Sequence, residues 1–277
     1  MEATRPYRAE YTGVLFLIPI LLIVLLWLYY MLPAGQDWMV FFRPATLAIL
    51  RGESPYSIKD FHNAPWTLLP FIPLAVLPHR LGRLGLFLFG FLSFVYIAFR
   101  LKAKPPSLLL FLTSFPVVAC LYGGGLDWLP MLSFVTPAPV SLLFAAMKPQ
   151  VGIGVGLFWL IDAWLTGGIK RVVWDFVPVV VFLLGSFAHY GFWIGNSLGK
   201  WDCPVNAALF PYLIPIGLYL LYMRQKPAAM ASCICFSPYH TYFGLSAPLV
   251  ALFQYPRLML IGWIVLWMYP LSRILLS

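Results

Sequence analysis

Polar groups are so scarce in this chain that those able to do chemistry stand out one by one. Asp37 closes the first long apolar run and is followed at once by Trp38. A carboxylate at such an edge can act as a general base toward an acceptor hydroxyl, provided the site excludes enough water to lift its pKa toward neutrality. In the string AAMKPQVGIG, Lys148 and Gln150 flank the helix-breaking Pro149 between two uncharged runs. This suits a point-charge clamp on phosphate beside a hydrogen-bonding amide. In CFSPYHTYFG, Ser237, Tyr239, His240 and Tyr242 interrupt an apolar segment, and Pro238 frees backbone carbonyls that need a receiving cavity. His240 could donate to a phosphate or shuttle a proton. Arg43, Arg51, Lys59 and His62 follow Asp37 and offer cations to an anionic head group. Each of these also has a plainer reading: a solvated loop acid, a lysine reaching for lipid phosphate, interfacial anchors, a histidine bonded to a neighbouring helix.

Other chemistries find no support. Asp127, Asp162, Asp175 and Asp202 border apolar runs, and none pairs with another by local spacing. There is no G-x-x-x-x-G-K-[ST] loop, no H-E-x-x-H and no nucleophile elbow, which argues against nucleotide hydrolysis and zinc proteolysis. Cys120, Cys203, Cys233 and Cys235 lack metal-site spacing and read as small hydrophobes, so neither a metal nor a cofactor is expected. The net charge of +9 comes from 18 Lys and Arg against 9 Asp and Glu scattered singly, a pattern that favours membrane lipids or a phosphate-bearing substrate over nucleic acid.

The elements that must position these groups follow from composition. The 277 residues are 62% apolar and 10% charged, with a mean hydropathy of +0.87. The expectation is a single all-α integral membrane domain over 1–277, with spans of about 20 residues giving a bundle of about nine or ten transmembrane helices. The first, Tyr11 to Gln36, follows Arg5 and Arg8, so the positive-inside rule puts the amino terminus in the cytoplasm and the run stays as an anchor. The next stretch, Asp37 to Asn63, is expected outside, with Trp38 to Leu50 as an amphipathic helix in the interface. Further spans are read at Trp66 to Leu77, Leu84 to Phe99, Ser107 to Tyr122, Trp128 to Met147, Val151 to Leu165, Val172 to Ile194, Ala207 to Met223, a broken Ala228 to Phe253, and Leu258 to Leu271. Charge gives mixed counsel on topology, because Arg80 and Arg83 lie at one end of a span and Arg100, Lys102 and Lys104 at the other.

The strings DWMVFFRPATLAILRGESPY, HNAPWTLLPFIPLAVLP, AAMKPQVG and CFSPYHTYFG, in this order, resemble segments of polytopic glycosyltransferases of the GT-C superfamily, especially glycosyltransferase family 87, the polyprenol-phosphate-mannose-dependent mannosyltransferases. The resemblance implies an inverting enzyme of the bacterial cytoplasmic membrane. It would move a sugar from a polyprenyl-phosphate donor to a lipid or glycan acceptor at the outer face. Asp37 would be the catalytic base; His240, Lys148 and Arg43 would hold the donor phosphate, and Trp38, Tyr56, Gln150 and Tyr239 would line the substrate cavity. The chain departs from the pattern where a G-Q-x-N string is expected and GGGLDWLP stands, and it is shorter than such enzymes. Two alternatives stay open: a non-catalytic structural subunit of a larger membrane complex, and a lipid or small-solute transporter.

Overall fold

The computed structural model describes residues 7–194, 206, 208 and 210–275, among which there is no strand. Helix α1 (Tyr7–Met31) leads through a π-helical turn (Trp38–Phe42) into α2 (Arg43–Leu50). A 3-10 stretch (Pro65–Phe71) and α3 (Ile72–Ala75) precede α4 (His79–Arg100), α5 (Pro105–Leu112), α6 (Phe115–Gly123), α7 (Trp128–Met131) and α8 (Ala138–Met147). Then come α9 (Pro149–Tyr190), α10 (Ile214–Tyr222), α11 (Lys226–Ala231), α12 (Cys233–Phe236), α13 (Ser246–Leu249) and α14 (Pro256–Leu275).

This architecture corrects the expectation of nine or ten spans. Among the described residues two helices, α4 and α9, are long and apolar enough to cross a membrane, or three if α5 and α6, bent by 46°, form one broken span. The cause is proline, of which the chain has 25. A proline opens a helix well and breaks the one before it. Proline stands in the first turn of α5, α6, α8, α10 and α11, cutting apolar runs that hydropathy joins into short helices. The run Ala228 to Phe253 becomes five pieces, and Ala207 to Met223 keeps nine helical residues. Among the described residues a multispanning GT-C fold is therefore absent, and with it go the resemblance to family 87, the polyprenyl-phosphate sugar transfer it implied, and the readings as a GT-C-like subunit or a carrier that shared that many-span bundle. What stands is two apolar helices suited to membrane association. Their outer faces, including Leu92, Phe99, Trp174 and Leu184, are exposed, as hydrophobic surface meant for lipid or a partner would be.

The 42 residues of α9 do not form one rod. Gly168 adopts φ +58°, ψ −154°, outside helical space, a conformation open to glycine. The two ends of α9 return to one place. Asn63 donates from Nδ2 to the Met147 carbonyl next to the start, and its own carbonyl accepts from Tyr56, whose ring packs 6.0 Å from Tyr190 at the end. The helix is thus a hairpin with Gly168 at its tip.

The molecule accordingly has two ends. At the first, α4 begins near Ala34 and Arg43, and α9 begins and finishes. At the second, about 33 Å away along the 22 residues of α4, the charges near the Gly168 tip lie on the side where α4 closes, with Lys226 between them. There Arg171 bridges Asp162 and Asp175, Arg224 reaches Asp162 at 3.3 Å, and Lys226 lies 4.7 Å over the Trp159 ring and feels the charge of Arg100. Gln254 ties in Lys102 through its carbonyl, and the Lys104 amide bonds the Phe253 carbonyl. Cations from three distant stretches of sequence gather here.

Candidate functional site

The first end holds the densest group of buried ionisable side chains. Its base is the turn after α6. Gly124 ends that helix at φ +75°, and a Cβ there would lie 2.9 Å from the Trp38 Cβ, so glycine lets the turn press against the chain around Asp37. Three residues on, Asp127 is fully buried. A buried carboxylate needs a partner, and Lys148, at the junction of α8 and α9, meets it with Nζ 2.8 Å from both oxygens while 14% exposed.

Around this pair sit three further groups. Asp37, half-buried at the foot of the π-helical turn, has its pKa raised to about 6 by burial and by the Asp127 charge, with Lys148 pulling the other way. His240 is fully buried against Gly244, where a Cβ would come 2.5 Å from the imidazole and 3.5 Å from Asp127 Oδ1. Burial pulls its pKa down to about 4 in spite of Asp127 and the nearby backbone of Thr241 and Gln150, and Lys148 lowers it further. The ring is thus neutral at pH 7, and neither nitrogen has a hydrogen bond of normal geometry. Burial lowers the pKa of Lys148, yet Asp127, Cys120 and Asp37 outweigh this and raise it. Tyr242 is raised by burial and by Asp37 and Asp127. Cys120 is fully buried in α6, away from any attacking partner.

Asp37, Lys148 and His240 are therefore drawn together from three remote strings, with the Gln150 backbone beside them. The other singled-out residues lie elsewhere. Arg43 turns away, donating from Nε to the Ala75 carbonyl at 3.1 Å and from Nη2 to that of Leu77 at 3.3 Å, which caps α3. Trp38 is fully buried in the core, edge-on to Phe71. Tyr56 stacks on Trp193 and bonds Asn63. Tyr239 accepts the Ser237 hydroxyl through its carbonyl. Lys148 is engaged by Asp127. Cys203 and Asp202 lie outside the described residues.

Sequence reasoning passed over Asp127 as a loop acid, although the GGGLD string carried a signal in its three consecutive glycines. It also passed over Asn206, whose Oδ1 accepts from the His240 amide at 2.9 Å while Nδ2 donates to the Pro238 carbonyl. That bond holds the His240 loop in place, and nothing in the sequence points to it. Among the described residues no His, Cys, Asp and Glu group could hold a metal. No family model, curated protein or solved structure matches this chain.

Proposed function

We propose that the protein is a membrane-bound acid–base catalyst in which Asp37 takes a proton from a hydroxyl group of a lipid-borne or membrane-proximal substrate. The observation that carries the reading is the Asp37 carboxyl, partly accessible and with its pKa near 6 beside a sealed Asp127–Lys148 pair. The pair is neutral overall. Only Asp37 changes charge near neutral pH, so the site passes from neutral to singly negative as it loses its proton. A base with a pKa close to working pH combines availability with driving force. Lys148 keeps the Asp37 pKa from climbing further.

The charge distribution supports an orientation. The end with Arg100, Lys102, Lys104, Lys170, Arg171, Arg224 and Lys226 lies about one hydrocarbon thickness from Asp37 along α4. Arg43, Arg80 and Arg83 stay on the Asp37 side, so the positive-inside rule turns the Arg100 end toward the cytoplasm through the added cations of 170–171 and 224–226. Diacylglycerol, a neutral lipid with one free hydroxyl, is the test ligand. A hydroxyl bonded to the carboxylate favours its charged form, so the infrared-detected titration of Asp37 should move below about pH 6 with diacylglycerol and stay put with its methyl ether. An Asp37 that does not titrate near pH 6, or that responds equally to both lipids, overturns the proposal.

A further inference from the structure

A groove of about 420 Å³ runs along the outer face of α4, lined by Pro70, Phe89, Leu92, Tyr96, Leu132 and Phe144. The size is that of a small-molecule site, and the lining is apolar save for hydroxyls. Phe89, Leu92 and Tyr96 are exposed on a helix of membrane-crossing length. The groove ends at a cation: Arg100 lies 5.6 Å over the Tyr96 ring and donates from Nη1 to its hydroxyl at 2.8 Å. Two residues on, Lys102 sits at φ +54° where α4 closes, with its amide bonded to the Phe99 carbonyl and that of Ala103 to Ala98. This is the helix-ending position that glycine fills without steric cost. Arg224 holds the same kind of place after α10, at φ +52°. Two cations thus stand, at the same end of the molecule, where glycine would be cheaper. Among the described residues Arg100 and Lys102 form no ion pair.

We infer that the α4 groove is a binding site for an anionic phospholipid, with one acyl chain lying along Phe89, Leu92 and Tyr96 and the phosphate held by Arg100 and Lys102. The two halves of the site match the two halves of such a molecule. An apolar trough extends along the span, Arg100 stands at its Tyr96 end, and Lys102 follows two residues later where α4 closes. Anionic lipid attracts cations near the surface, and a guanidinium matches phosphate geometry. The site is separate from Asp37 and does not depend on its chemistry.

The test is native mass spectrometry of the delipidated, detergent-purified full chain titrated with phosphatidylglycerol and phosphatidylcholine of identical acyl chains. One phosphatidylglycerol should be retained at least about fivefold more tightly than phosphatidylcholine, with Arg100→Gln and Lys102→Gly each removing about fivefold of that preference. Leu92→Trp should abolish retention of both lipids by filling the trough. Lys102→Gly relieves a left-handed residue, so its melting temperature should not fall, which separates lost binding from lost fold. Equal retention of the two lipids, an unchanged preference in both cation variants, or retention surviving Leu92→Trp would each overturn the site, as would self-association through this face.

Discussion

Replacing Asp37 with Asn should turn a flat dependence of stability on pH into a steep one. The Asp37 carboxyl rises from an ordinary 3.8 to about 6 on folding. Between these values the folded protein keeps a proton that the unfolded chain releases. The stability this contributes is full below 3.8 and is lost as pH rises through about 6, about 3 kcal/mol in all. His240 does the reverse, falling from 6.5 to about 4. Its contribution is full above 6.5 and is lost as pH drops through about 4, again about 3 kcal/mol. Between pH 4 and 6 the two slopes oppose and cancel in the native protein. Asp37→Asn removes one of them, so stability should climb with pH by about 1.4 kcal/mol per unit, and His240→Gln should give the mirror image. The midpoint of reversible dodecyl-sulfate unfolding in mixed micelles, taken stepwise from pH 4 to 7, reads both. If the Asp37→Asn profile runs parallel to that of the native protein, the carboxyl is not perturbed in the folded state and the argument fails.

Three further outcomes are expected. Asp127→Asn strands a buried ammonium and should cost about 3–5 kcal/mol, whereas the double change Asp127→Leu with Lys148→Met should be milder; a chemical melt ranks them, and a double variant as damaged as the single one contradicts the pairing of these charges. Gly124→Ala and Gly52→Ala both place a side chain at φ +75°, but a Cβ at 52 meets open space and one at 124 meets Trp38, so the first should lower the melting temperature well beyond the second, and equal losses would show that the close approach is not needed. Asn206→Ala removes the bonds to Pro238 and to the His240 amide, costing about 1–2 kcal/mol; freed from its buried position, His240 should titrate closer to 6.5, seen by NMR of the ring, and an unmoved titration would mean the loop is held by other contacts.

Much of the site was legible because the chain is so apolar. Where one residue in ten is charged, an Asp at the end of a run, a Lys beside a proline and a His inside a hydrophobic segment are costly enough to mark themselves, and Asp37, Lys148 and His240 did. The number of spans was not legible, since summed hydropathy registers how apolar a run is and not whether a proline cuts it or a glycine turns it back. The broken stretch from Ala228 and the return at Gly168 come from backbone geometry that hydropathy does not contain. The resemblance to a multispan enzyme failed for the same reason: short strings around prolines recur without the helices that would carry them across a bilayer.

The sequence by itself determined that this chain would be helical and bear large apolar faces, because unbroken hydrophobic runs without alternation leave helices as the way to satisfy their backbone. Only the tertiary structure decided what the rare polar groups meet. Lys148 is matched to Asp127 across 21 residues, Arg43 is spent on the carbonyls of Ala75 and Leu77, and Arg100, Lys102 and Lys104 are collected with the cations of 170–171 and 224–226 at one end while Arg80 and Arg83 stay at the other. Each of these depends on which distant segments are brought side by side. A pKa, an ion pair or a charged surface is set by neighbours in space, and along this chain the neighbours that matter are far apart.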